Sequence, residues 1–228
     1  MNYFPIFKGF DWAVEKLCKN TEALAVLFLL GLGEYTIFLL TFYGIISGYM
    51  LIVSAIIVLG LHSIITNSAI KLYKNEHAPM SSFFDIRFSM IYTLFFVYLI
   101  IDIPSLLNHV FEFFSASNFF VEIILFAAFL FLVVIYNFAF PVILDHDKEI
   151  FDSLKESARM SNGVRWKLFG YFTAIFFGIL VAVALWKFLF AKTVVGYMLE
   201  FATLSFFLVI MHMINVYVYF ERKKLIQK

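Results

Sequence analysis

Long apolar stretches alternate with short polar ones along this chain. Between residues 23 and 70 the single charged side chain is that of Glu34. A bilayer-spanning helix needs about 20 apolar residues, so this stretch is long enough for two spans joined by a turn at residues 43–48. Four more apolar stretches follow it. The pattern predicts six transmembrane helices, at about residues 23–43, 49–70, 88–107, 119–144, 168–190 and 194–220.

Two of the polar segments carry an amphipathic pattern. In residues 6–17, and again in residues 148–162, apolar side chains recur at helical spacing opposite charged ones. We expect both segments to form helices that lie on the membrane surface. The predicted fold class is all-α membrane protein. A single integral membrane domain over residues 1–228 would hold a polytopic bundle of six transmembrane helices, with amphipathic surface helices on the cytoplasmic side.

Composition supports this fold class and argues against a soluble enzyme. Of the 228 residues, 63% are hydrophobic and 14% are charged, whereas soluble domains have about one half and one quarter. The net charge of +1 gives no overall attraction to nucleic acid, so we expect no nucleic-acid partner. The expected partner is the lipid bilayer, and the further candidates are other membrane proteins and a second copy of this chain.

The placement of Lys and Arg predicts the topology. Fifteen of the 17 lie in the N-terminal segment, the second and fourth loops and the C-terminal tail, while the opposite side has Lys187 and Lys192. Positive charge near span ends is retained on the cytoplasmic side. We therefore expect an even number of spans and both termini in the cytoplasm. The excess of Lys over Arg, together with 32 Phe, favours a prokaryotic cytoplasmic (inner) membrane.

Glu34 and His62 form the sharpest candidate site. Glu34 lies well inside the first span, where an acidic side chain costs roughly 2.5–3.5 kcal/mol. Counting back down the second span at ~1.5 Å per residue places His62 at about the same depth. We predict a hydrogen bond between them. The pair could carry a proton, or a protonated Glu34 could simply tie two helices together, and the second interpretation is favoured.

Three further polar residues, Asn137, His212 and Asn215, fall in the cytoplasmic third of their spans. They could share an interior polar site, although interhelical hydrogen bonds are the commoner role of such residues. Residues 145–147, Asp-His-Asp, are interpreted as solvated charge. The chain has no HExxH, Cys-x-x-Cys or phosphate-binding motif. The sequence therefore predicts no metal ligand, no cofactor and no catalytic residue, and we expect the protein not to be an enzyme.

A ridge of small residues marks the fifth predicted span. Its members recur at every fourth position: Gly170, Ala174, Gly178 and Ala182. Small residues let helix backbones approach closely in lipid. We expect the ridge to contact another helix of the same bundle, and the alternative is a subunit interface.

The fourth cytoplasmic segment carries a recognisable motif. It contains Pro-Val-Ile-Leu-Asp at 141–145 and Phe-Asp-Ser-Leu-Lys-Glu-Ser at 151–157, then Met160, Gly163 and Trp-Lys-Leu-Phe-Gly at 166–170. This motif resembles the signature of the uncharacterised YciC-like bacterial membrane proteins. It is also similar to the membrane domain fused to some glycerophosphodiester phosphodiesterases. The resemblance implies six spans, and it implies no catalytic residue because the family has no assigned reaction.

Two functions are compatible with these features. The favoured one is a non-enzymatic integral membrane protein that acts through lipid or protein contacts. The alternative is a small permease or proton-coupled transporter that uses Glu34 and His62.

Overall fold

The computed structural model describes residues 6–42, 49–75, 78–101, 103–104, 107, 119–190 and 193–226. All elements in this part of the chain are helices, as the hydropathy pattern predicts. They are α1 (Ile6–Lys19), α2 (Thr21–Phe42), α3 (Tyr49–Lys74), a 3-10 helix (Met80–Phe84), α4 (Phe88–Ile101), α5 (Phe119–Tyr136), α6 (Ala139–His146), α7 (Ile150–Ser161), α8 (Arg165–Leu189) and α9 (Val194–Ile226). The predicted turn at 43–48 lies outside the described residues.

In the described part of the chain, four stretches are long and apolar enough to cross a membrane, which supports the predicted all-α membrane class. They are Val53–Lys74, Phe120–His146, Arg165–Trp186 and Val195–Ile226. The first and third predicted spans correspond to α2, with 22 residues, and α4, with 14. The predicted end of the third span falls partly outside the described residues, so a total of six spans stays a prediction.

The core is built around α3 and α9. Helix α9 packs against α1, α2, α3 and α8, while α3 also contacts α4, α6 and the 3-10 helix. Ile65 and Leu72 of α3 and Tyr219 of α9 are fully buried there. By contrast, α5 and α8 expose large apolar side chains such as Phe126 and Phe188. Apolar surface of this kind is stable in contact with lipid tails.

Helix α1 forms where the amphipathic pattern predicts it. Its buried face includes Ala13 and Leu17. A Cβ atom on Gly9 would lie 3.1 Å from the Tyr217 ring and 3.2 Å from Ile214, so α1 packs closely against α9. The apolar face of α1 is therefore at least partly used inside the chain, and its location on the membrane surface stays a prediction.

Helix α7 also forms where predicted, but its buried face differs from the apolar stripe of the sequence. Three of its five buried residues are serines: Ser153, Leu154, Ser157, Met160 and Ser161. Phe151 is 79% exposed. Ser157 is the serine that contacts the backbone of a neighbouring helix, since its hydroxyl donates to the carbonyl of Ile135. The hydroxyls of Ser153 and Ser161 donate to carbonyls of α7 itself. Contact of Phe151 with the membrane stays a prediction.

The small ridge of α8 is not packed against the rest of the described chain. Gly170, Ala174 and Gly178 are exposed, and Ala182 is partly exposed. A Cβ atom at Gly170 or Gly178 would meet no described atom within 4 Å. No contact of Gly170 or Gly178 with another helix is found among the described residues, and a contact within the bundle stays a prediction. The subunit interface stays a prediction.

The close approach between helices occurs instead at Gly31 of α2. A Cβ atom there would lie 3.0 Å from the backbone oxygen of Ser205 and 3.1 Å from Val209 in α9. Glycine at this position lets the two backbones come together, as small residues do in membrane helix pairs. Because Glu34 lies one turn further along α2, this crossing also sets the distance of Glu34 from α9.

Candidate functional site

The predicted fourth span is broken at residues 137 and 138. Helix α5 ends at Tyr136 and α6 begins at Ala139. Pro141 has no backbone N–H, so the carbonyl of Asn137, four residues earlier, lacks its helical donor. The side-chain amide of Asn215 in α9 donates to that carbonyl at 3.1 Å. Proline thus opens the helix, and an asparagine of another helix replaces the lost hydrogen bond.

Other polar groups at the break are also satisfied. The Asn137 side-chain amide donates to Oδ1 of Asn215 at 2.5 Å. The backbone N–H of Phe138 donates to Oγ of Ser157 at 3.0 Å. In turn, the Ser157 hydroxyl donates to the carbonyl of Ile135 at 3.1 Å. Unwound backbone at membrane depth needs such partners, since lipid offers none.

Glu34, His62 and His212 meet beside this break. Oε1 of Glu34 lies 3.5 Å from Nδ1 of His62, which is an ion-pair distance and longer than a normal hydrogen bond. The predicted neighbours are thus brought together, although the contact is not the close hydrogen bond expected. The ring centroids of His62 and His212 are 4.0 Å apart, with the planes at 86°. The sequence did not predict that His212 would join the pair.

Two members of the cluster are buried, whereas the side chain of His62 is 31% exposed. Glu34 is 7% exposed and His212 is 5% exposed. The second carboxylate oxygen of Glu34, Oε2, is buried and has no hydrogen-bond partner among the described residues. Thr66 places its hydroxyl 3.3 Å from Nδ1 of His212. One buried acidic oxygen therefore lacks the compensation that a proton or a cation would supply.

A cavity of about 390 Å³ joins the cluster to the break. Its polar lining includes Ser54, His62, Tyr98, Asn137, His212 and Asn215. The predicted inner-third residues thus share one cavity with His62, and Glu34 is linked to this cavity through its contact with His62. No Lys or Arg occurs among the lining residues in the described part of the chain. The cavity offers imidazole, amide and hydroxyl groups, and it has an acidic group close to its wall.

The interpretation of Asp145 as solvated charge is wrong, because its side chain is buried. Its side chain is 1% exposed, forms a salt bridge with Lys74 and accepts a hydrogen bond from Nζ of Lys223 at 2.7 Å. The Tyr219 hydroxyl also donates to it, at 2.9 Å. Asp145 therefore ties the ends of α3, α6 and α9 together. The burial was missed because its partners come from segments far away in sequence.

Comparison with protein-family models, with curated proteins and with solved structures found no match. The resemblance of residues 141–170 to the YciC-like family stays a prediction.

Replacing Asn215 with alanine tests the helix break. The change leaves the carbonyl and side-chain amide of Asn137 without their described partners, and an unsatisfied buried polar group costs about 1–3 kcal/mol. We expect the free energy of unfolding in mixed micelles to fall by about 2 kcal/mol. The matched control is Asn162→Ala, because the Asn162 side chain is exposed. Equal stability of the two variants would contradict this role of Asn215.

Proposed function

We propose that this chain is a small permease in a prokaryotic cytoplasmic membrane, and that its interior cavity binds and conducts a cation. A cytoplasmic location of both termini is supported by the bias of Lys and Arg. A shared side for the two ends is supported by the packing of Trp12 of α1 on Tyr217 near the end of α9, with ring centroids 5.5 Å apart.

The observation that carries the proposal is the Glu34–His62–His212 cluster beside a broken helix. Ionisable residues inside spans are rare and costly, and they commonly mark ion pathways. Discontinuous membrane helices often form binding sites, because unwound backbone and polar side chains face a shared cavity. The two features come together here through His62 and His212, which belong to the cluster and also line the cavity.

The chemistry of the cavity favours a cation. Glu34 supplies a carboxylate, and the neutral imidazoles of His62 and His212 supply lone pairs. The amide oxygens of Asn137 and Asn215 are further acceptors near the cavity wall. A cation would be attracted by these groups, whereas an anion would find no Lys or Arg among the described lining residues.

Cation flux through reconstituted vesicles tests the proposal. Vesicles containing the full chain are placed on a solid-supported membrane and exposed in turn to concentration jumps of H⁺, Na⁺, Mg²⁺ and Zn²⁺. We expect a transient current for at least one of these cations. Glu34→Gln should reduce it to the level of protein-free vesicles, because the substitution keeps the side-chain shape and removes the carboxylate.

Glu22→Gln is the matched control, since Glu22 lies in the same helix and is exposed. It should conduct like the wild type. Equal recovery of the three proteins in vesicles, measured by protease protection, excludes a defect in insertion. The proposal fails if the wild type gives no current above that of protein-free vesicles, or if Glu34→Gln conducts as well as Glu22→Gln.

A second candidate function is contact with lipid or with other membrane proteins. It is favoured by the exposed small ridge of α8 and by Phe151, which is 79% exposed. Exposed apolar surface of this kind is typical of interaction sites. This function makes a different prediction for the same experiment, because vesicles of the wild type and of Glu34→Gln would both lack the current.

A further inference from the structure

We propose that Glu34, His62 and His212 form a binding site for a divalent transition-metal ion of the zinc class. The inference rests on the proposed function and names the class of cation that the interior site takes. Each residue offers one ligand atom, and these three atoms all lie within 4.8 Å of one another. No motif in the sequence pointed to a metal, because the ligands come from three different helices.

The donor set suits such an ion. Imidazole nitrogen is a good ligand for zinc, copper, nickel and iron, and a carboxylate completes the set of two His and one Glu found in some catalytic zinc sites. Mg²⁺ and Ca²⁺ prefer oxygen ligands throughout. A site with two nitrogen donors and one oxygen donor therefore favours a transition metal over the alkaline-earth ions.

The distances between the three ligand atoms are also close to those that a tetrahedrally coordinated ion requires. Bonds of about 2.1 Å place neighbouring ligand atoms roughly 3.4 Å apart around zinc. The Glu34 oxygen and the His62 nitrogen are already 3.5 Å apart. The widest separation in the set is no more than 4.8 Å. The largest separation therefore exceeds the tetrahedral value by no more than about 1.4 Å.

Glu34 provides independent support for a ligand. Its Oε2 atom is buried and has no hydrogen-bond partner among the described residues. A buried carboxylate without compensation is unfavourable, so its charge must be met by a proton or by a cation. A dication would engage the carboxylate and both imidazoles at once, whereas a proton on Glu34 would leave the convergence of the two histidines unused.

Thr66 and the cavity supply the remaining parts of a metal site. The Thr66 hydroxyl lies 3.3 Å from Nδ1 of His212. When Nδ1 carries the proton and donates to Thr66, Nε2 keeps the lone pair for the metal, which is the usual outer-shell arrangement of a ligating histidine. Because His62 and His212 also line the cavity, the fourth ligand position is open to water or to a solute.

Equilibrium dialysis of the full chain against Zn²⁺ tests the inference. The protein carries an affinity tag without histidine and is kept in detergent micelles, and bound zinc is counted by mass spectrometry. We expect one ion per chain. Loss of an outer-shell partner typically lowers metal affinity 10–100-fold, so Thr66→Val should lower it about tenfold. His62→Gln, His212→Gln and Glu34→Gln each remove a ligand and should lower it by about 100-fold or more.

His146→Gln and Glu22→Gln are matched controls, because both residues lie outside the cluster, and they should bind zinc like the wild type. Co²⁺ gives a second readout. The wild type should show the intense visible absorption of a tetrahedral Co²⁺ site, and His212→Gln should not. The wild-type stoichiometry and spectrum need no variant, so a variant that fails to fold does not obscure the result.

The inference is overturned if the wild type binds no more zinc than protein-free micelles. It is also overturned if His62→Gln and His212→Gln bind zinc as tightly as His146→Gln does. Zinc binding is separable from transport. Zinc bound by a protein that gives no current supports the metal site and rejects the permease, while a current of H⁺ or Na⁺ without zinc binding rejects the metal site alone.

Discussion

Replacing Asp145 with alanine is expected to lower the free energy of unfolding by about 3 kcal/mol. The side chain is 1% exposed and meets two lysines and a tyrosine. Removing one partner of a buried ion pair is costly, because the other charge stays behind without compensation. Lys74 is half exposed and can turn to water, so we place the effect at the lower end of the range for buried pairs.

The effect is measured by denaturation of the purified protein in mixed micelles. The matched control is Asp85→Ala, because Asp85 is exposed, and surface substitutions of this kind usually change stability by less than about 0.5 kcal/mol. Asp145→Asn should lie between Asp145→Ala and the wild type, since an amide can still accept the hydrogen bond from Tyr219. Equal stability of Asp145→Ala and Asp85→Ala would show that the buried ion pairs do not hold α3, α6 and α9 together.

Gly31→Leu is expected to destabilise the fold by a similar amount, about 3 kcal/mol, through overpacking. The Cβ atom alone would come within 3.0 Å of the Ser205 backbone oxygen. A backbone carbonyl inside a helix cannot rotate away, so α2 and α9 must separate. The separation would also move Glu34 away from His212, and the variant should therefore lose zinc affinity together with stability.

Gly178→Leu is the control for this prediction. Both glycines lie inside long apolar helices, but a Cβ atom at Gly178 meets no described atom within 4 Å. Its free energy of unfolding, measured in the same micelles, should stay close to that of the wild type. If Gly31→Leu and Gly178→Leu unfold at the same denaturant concentration, then the close crossing of α2 and α9 is not important for stability.

Much of the helical layout could be predicted from hydropathy. The spans expected at 49–70, 168–190 and 194–220 correspond to α3, α8 and α9. Helices α3 and α9 continue past the predicted ends of their spans, to Lys74 and Ile226. Polar side chains at these ends, such as Lys74 and Lys223, form ion pairs with Asp145. The break at 137–138 was not predicted. Pro141 was the available signal, since a proline frees the carbonyl four residues earlier.

The candidate site could be predicted only in part. The proximity of Glu34 and His62 followed from their depth in two consecutive helices, where the geometry of a helical hairpin leaves little choice. The addition of His212 could not be predicted, because it depends on which face of α9 meets α2. That face is set by the fit of Gly31 against Ser205. The same limit explains the ridge of α8, since a four-residue spacing of small residues does not identify the partner helix.

The most direct test of an interior cation site is the distance between the Glu34 carboxyl group and the imidazole nitrogens in a lipid bilayer. Solid-state NMR measures it on protein with ¹³C-labelled Glu carboxyl groups and ¹⁵N-labelled His, and His62→Gln and His212→Gln assign the signals. We expect the His nitrogens to dephase the Glu34 carboxyl carbon signal, because an oxygen of this carboxyl group lies 3.5 Å from Nδ1 of His62. Most of the dephasing should be lost in His62→Gln. A Glu34 signal with no dephasing by either histidine would contradict the cluster and the function proposed for it.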